Sequence, residues 1–157
     1  MTNLTENHIE QLAIEQLQLQ GYHYIYAPDI APDSDGASVG FAKRDSYEQV
    51  LLMDRLQSAV AAINPHIPKS EQNAAIREIQ RIASPELIAN EQSLHRLLTE
   101  GIPVVKRVGG VERGDRVWLI DFENPHNNDF VVVNQVTVIE NGNTKRPDII
   151  VFVNGIP

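Results

Sequence analysis

Residues 148–157, DIIVFVNGIP, constrain the fold of this chain more than any other stretch. Ile149 to Val153 form an unbroken apolar run, β-branched except at Phe152, which predicts a buried strand. The run leads into Asn154-Gly155. Both central residues of a type I′ turn need positive φ, and Asn-Gly between apolar runs is the strongest short-range signal for that hairpin. The returning strand is expected to start at Ile156-Pro157 and to lie beside 148–153, and its central residues would fall beyond Pro157. Those residues are absent from this chain, so 148–153 is expected to lack its hairpin partner and to form an exposed edge of marginal stability. Asp148 stands at the mouth of the strand, after Pro147. A carboxylate beside a buried strand is costly unless something charged meets it. Two readings follow: a strand-start residue reaching solvent, or a metal ligand aimed at the sheet edge.

The rest of the chain divides by periodicity. Residues 5–20 place Ile9, Leu12, Ala13 and Leu17 at helical spacing, with Thr5 as N-cap and Gly21 as C′ residue. Tyr22–Tyr26 reads as a short strand. Residues 27–45, with two prolines, two glycines and four aspartates, read as a long loop. Three helices follow. The first starts at a Ser46-x-x-Gln49 capping box and ends at Asn64-Pro65. The second starts at Ser70 and buries Ala75, Ile76, Ile79, Ile82 and Ala83 before Pro85. The third runs from about Asn90 to Gly101 with Leu94, Leu97 and Leu98 inward. The last third is a series of strands: 104–108, 115–122, 129–140 and 148–153. Helix, strand, three helices and then strands predict an α/β (α+β) domain with one mixed sheet covered by helices.

Few residues offer chemistry. Glu10 follows Ile9 at the border of the first helix's apolar face, with Glu6 one turn earlier and Glu15 beyond. A solvated helix flank and a site carboxylate are both open for Glu10, while Glu6 also suits the helix's N-terminal dipole. Asn134-Gln135 interrupts the apolar run of 131–139. Buried amides need partners, so Gln135 and its neighbour either bracket a polar site or form a cross-strand pair. The five histidines are scattered without metal-binding spacing. No nucleotide-binding or serine-hydrolase motif occurs, and Gly109-Gly110 reads as a turn.

Composition narrows the class. At 157 residues and 42% hydrophobic content, residues 1–157 suit one domain. There is no signal-peptide pattern and no stretch of the ~20 apolar residues that spans a bilayer. The absence of cysteine excludes disulfides and favours the cytoplasm. A net charge of -8 argues against bulk electrostatic binding of nucleic acid. It does not argue against a nuclease site, where carboxylates hold Mg²⁺.

These residues resemble a known family. RPDIIVFVNGIP looks like the first half of the nuclease signature of type I restriction enzyme R subunits. The block 118–157 is similar to the family's core throughout, 46–68 and 90–104 to the two helices before it, and 6–24 to its opening helix. The resemblance implies a restriction-endonuclease-like PD-(D/E)XK core, incomplete at the C-terminus, that cuts double-stranded DNA with Mg²⁺. By it, Asp148 is the metal ligand of the Pro-Asp motif and Glu10 the acidic residue of the opening helix, with Glu6 as fallback. The family's Glu-x-Lys, on the strand after Asn-Gly, has no counterpart before Pro157, so the fragment itself is expected to be inactive. The resemblance also implies an ATP-driven helicase motor elsewhere in the full subunit, and methylase and specificity subunits as partners. Two alternatives stand beside it: a docking module with a degenerate site, and a stand-alone nuclease of the same superfamily.

Overall fold

The computed structural model describes residues 5–34, 43–82, 91–140 and 142–157. Helix α1 (Glu6–Leu19) starts after Thr5, whose Oγ1 lies 2.7 Å from His8 Nδ1. It ends as expected on Gly21, at φ +97°. The Gly21 and Tyr22 amides donate back to the Gln18 and Leu17 carbonyls at 3.0 and 3.1 Å, which closes a Schellman cap. The buried face differs from the one predicted. Ile14 is buried and Glu10, Ala13 and Leu17 are half-buried, while Ile9 and Leu12 are 59% and 53% exposed. The stripe 10, 13, 14, 17 faces the sheet, so a carboxylate stands where the pattern placed an isoleucine.

Strand β1 (His23–Tyr26) runs parallel to β4 (Phe130–Asn134), which pairs antiparallel with β7 (Ile149–Val153). The order β1-β4-β7 makes a mixed sheet with β4 at its centre. Val131, Val132 and Val133 are all fully buried, because both faces of the central strand are covered. One core joins Val131 and Val133 to Ile25, Ile30, Leu52 and Phe152. A second gathers Leu56, Val60, Ala75, Ile76 and Ile79 from helices α2 (Met53–Ile63) and α3 (Lys69–Ile82), with Val117, Leu119 and Ile156. Leu94, Leu97 and Leu98 of α4 (Glu91–Glu100) pack against it, half-buried as expected. Ala83 lies outside the described residues.

Three boundaries correct the sequence reading. First, the strands do not share one sheet. β2 (Ile102–Val108) and β3 (Val111–Val117) form one separate hairpin, and β5 (Val138–Glu140) with β6 (Asn143–Lys145) another. β3 stops at Val117 because the Asn64 side chain takes over at Trp118, accepting its amide and donating to its carbonyl at 2.7 and 2.8 Å. Second, the segment 129–140 is broken at Gln135, which adopts φ +55°. Third, α2 begins at Met53 rather than at Ser46. The Arg44 guanidinium holds the carbonyls of Tyr47 and Gln49, and the Leu52 amide donates to the Gly155 carbonyl. Those groups are committed to the Arg44 side chain and to the C-terminal turn, and they cannot open a helix.

The C-terminal turn is type I′ as predicted, with Asn154 at φ +54° and Gly155 at φ +79°. Val153 and Ile156 exchange both backbone hydrogen bonds, at 2.9 and 3.0 Å. Among the described residues no other strand pairs with β7 on that side, and Val151 is 41% exposed.

Candidate functional site

The break after β4 builds the site. Gln135 turns into the left-handed region, so it and Asn134 present their amides together at the end of the sheet. Helix α1 crosses this end. Asn134 Nδ2 donates to Glu10 Oε1 at 2.9 Å, and Gln135 Nε2 donates to Glu10 Oε2 at 3.1 Å. Asp148, just before β7, reaches the same amide from the other side, with Oδ1 3.4 Å from Gln135 Nε2. Its own carbonyl accepts the Gln135 backbone amide at 2.8 Å, which fixes the two segments in register. Residues from opposite ends of the chain thus bracket one nitrogen.

Tyr24 completes the group. Its hydroxyl donates to Asn134 Oδ1 at 3.0 Å and so orients that amide toward Glu10. Burial, and after it the charge of Glu10, raise the phenol's pKa above its ordinary value, with smaller effects from Tyr26 and Asp29. The structure therefore brings Glu10, Gln135 and Asp148 together. Glu6 is exposed in the first turn of α1, and the carboxylate joined to this group is that of Glu10. Asn134 and Tyr24 had no assigned role in the sequence reading. Asn134 was legible as half of the polar interruption, whereas nothing in the pattern marks a tyrosine in an aromatic-rich strand.

Whether the group suits Mg²⁺ depends on its donors. They are oxygens of two carboxylates, the hard ligands that Mg²⁺ prefers, and Mg²⁺ commonly binds through one or two carboxylates while keeping several waters. The half-exposed setting leaves room for those waters. Among the described residues no group of three or more His, Asp or Glu side chains could hold a metal. The pair fits a cation held mostly by water and substrate oxygens.

An α+β domain with a mixed sheet, and two carboxylates meeting at its broken central strand, is a compact acidic site with oxygen ligands only. The chain belongs to the family of the type I restriction enzyme R protein N terminus, which matches residues 3–157. It is 36% identical over 155 residues to the type I restriction enzyme HindI endonuclease subunit of Haemophilus influenzae, with 98% of this chain aligned. It is 31% identical over 152 residues, 95% of its length, to a candidate type I restriction enzyme MjaIXP endonuclease subunit of Methanocaldococcus jannaschii. It spans 14% of the length of each of these relatives.

Proposed function

We propose that residues 1–157 are the DNA-cleaving domain of a type I restriction enzyme R subunit, built on a PD-(D/E)XK core. The observation that carries this is the convergence of Glu10 and Asp148 on the Gln135 amide, at the end of a mixed sheet. Asp148 would hold Mg²⁺, and Glu10 would position a second metal or the attacking water. The metal, when bound, polarises the scissile phosphate and lowers the pKa of a bound water. The chain's own part is alignment. Gln135 ties the two carboxylates to one donor, and Tyr24 and Asn134 lock the Glu10 side chain. Each Glu10 oxygen accepts one amide N–H and keeps lone-pair capacity for a water. In the full subunit, cleavage would be coupled to ATP-driven translocation on double-stranded DNA, in a cytoplasmic complex with methylase and specificity subunits. No helix among the described residues is long and apolar enough to cross a membrane.

The test is Mg²⁺-dependent cleavage of circular DNA by the full subunit assembled with its partners. Asp148→Ala should abolish cleavage, and Glu10→Gln should lower its rate about a hundredfold, the scale of a lost acid–base group. Undiminished cleavage by Asp148→Ala would reject the reading. The 157-residue chain alone is expected not to cut, because two carboxylates hold Mg²⁺ weakly. Nicking by the purified chain that vanishes in Asp148→Ala would overturn that expectation. The same short ligand set supports a second reading, a docking module with a degenerate site. Retained cleavage in both variants would favour it.

A further inference from the structure

Gln135 also lines a second feature, a cleft of about 300 Å³. The residues that matter in it are Asp33, Arg44, Tyr47, Thr137 and Arg146. Arg44 is 3% exposed. It donates from Nε to the Gln49 carbonyl, from Nη1 to the Thr137 carbonyl and from Nη2 to the Tyr47 carbonyl, at 2.8, 2.7 and 2.8 Å. A guanidinium has five N–H donors, so two remain beyond these three. No carboxylate among the described residues pairs with it. Carbonyls satisfy its hydrogen bonds and the Tyr47 ring lies 6.0 Å from its Cζ, but no carboxylate balances its charge, and a buried cation without a counter-charge is costly. Arg146, exposed and lining the same cleft, also makes no ion pair with a described residue. Among the described residues that line the cleft, the one acidic group is Asp33, which accepts the Tyr47 hydroxyl at 2.7 Å. Two guanidiniums therefore face one carboxylate, in a chain whose net charge is -8.

We infer that this cleft is an anion site that seats a DNA backbone phosphate beside the scissile one, held by Arg44 from the floor and Arg146 from the rim. Guanidinium is the side chain best matched to phosphate, since its planar fork donates two parallel hydrogen bonds. The shared wall at Gln135 places the cleft against the carboxylate pair. A phosphate seated there would fix the strand so that its neighbour meets Asp148. Arg146 is then a positioning residue, lying two residues before the proposed metal ligand. The choice of DNA as the phosphate's source rests on the nuclease reading, whereas anion binding by the cleft does not.

The experiment is a nitrogen-detected NMR titration of the chain, following the Arg44 Nε–H signal, which its bond to Gln49 protects from exchange. Inorganic phosphate and a short DNA duplex are added in separate arms, each against sodium chloride of equal ionic strength. Both should shift the signal in a saturable way, and chloride should not. Arg146→Gln should weaken both about tenfold, and Arg146→Lys should restore only part of the loss, because it keeps the charge but not the planar fork. Arg44 itself is left intact, since its removal would free three carbonyls and disturb the loop. No shift with either probe, or titrations unchanged in Arg146→Gln, would overturn the inference. A response to phosphate without one to duplex would overturn the assignment to DNA. Asp148→Ala should still bind phosphate, so failure of the nuclease reading would leave this result standing.

Discussion

Gly155 has no room for a side chain. A Cβ there would lie 2.4 Å from the Leu52 carbonyl oxygen and 3.0 Å from the Leu56 amide, and the residue already sits at φ +79°. Gly109, at φ +59°, meets nothing within 4 Å. Alanine at 109 should cost about 1 kcal/mol, the ordinary left-handed penalty. At 155 it should cost about 3 kcal/mol or more, because backbone must move as well. Urea unfolding of the two variants makes the comparison, and equal losses would show that the turn does not press on α2 in solution. Tyr24 offers a different measurement. Its folded-state pKa is raised, so its contribution to stability is present below the ordinary value of 10.0 and is lost as pH rises through the folded value. Glu10→Gln removes the second-largest cause of that rise and leaves burial. The titration of Tyr24, followed by its ring carbon shift, should move toward 10.0 in this variant. A midpoint that stays in place would separate Glu10 from Tyr24 and dissolve the site geometry.

At the scale of elements, side chains substitute for secondary structure at two junctions. Fully buried Asn64 ends α2 and also acts as a strand partner for Trp118, whose amide and carbonyl it holds. Asn64→Ala would strand both groups, and about 2–4 kcal/mol of stability should be lost, since each unsatisfied buried group costs roughly 1–3 kcal/mol. Asn64→Asp keeps the acceptor but sets a buried carboxylate against the Val60 and Trp118 carbonyls, so at neutral pH a loss at least as large is expected in chemical denaturation. A neutral Asn64→Ala would mean that water replaces the clasp. Such junctions also explain what the sequence could not show. The caps of α1, the face of α3 and the type I′ turn follow from residues within a few positions of one another, and all were legible. The start of α2 was not, because Arg44 draws on Thr137 and Leu52 on Gly155. Nor was the end of β3, which depends on Asn64. Gln135 takes a left-handed conformation without being glycine, so only its polarity signalled a break. The candidate site was half visible. Asp148 and Glu10 came from resemblance, whereas the buried stripe that delivers Glu10 was read one step out of phase.

Across the whole molecule, adjacent residues divide between the two cores. Leu51 packs with the helices and Leu52 with the sheet, while Ile156 and Phe152 repeat the division at the C-terminal hairpin. The cores are stitched together through short, rigid stretches of backbone, and they should unfold as one unit. Leu52 is 1% exposed, and Leu52→Ala should cost about 3 kcal/mol, within the range for buried leucine. The loss should be equal when read by the single tryptophan, Trp118, beside the helical core and by amide exchange of Val132 in the sheet. A loss confined to the sheet would show two independently melting halves. Because α1 contacts the sheet near its broken strand, the same coupling makes the carboxylate pair a reporter of global integrity.

The Asn154-Gly155 turn also has a chemical lifetime. Asn-Gly is the dipeptide most prone to deamidation, in which the glycine amide attacks the asparagine side chain through a cyclic imide. Here Asn154 is fully buried, and its carboxamide is engaged by the Asp129 amide, the Leu119 carbonyl and Asn128 Oδ1. The Gly155 carbonyl is engaged by the Leu52 amide. The folded chain thus shields this perishable bond, and ageing at this position would count the moments when the turn comes open.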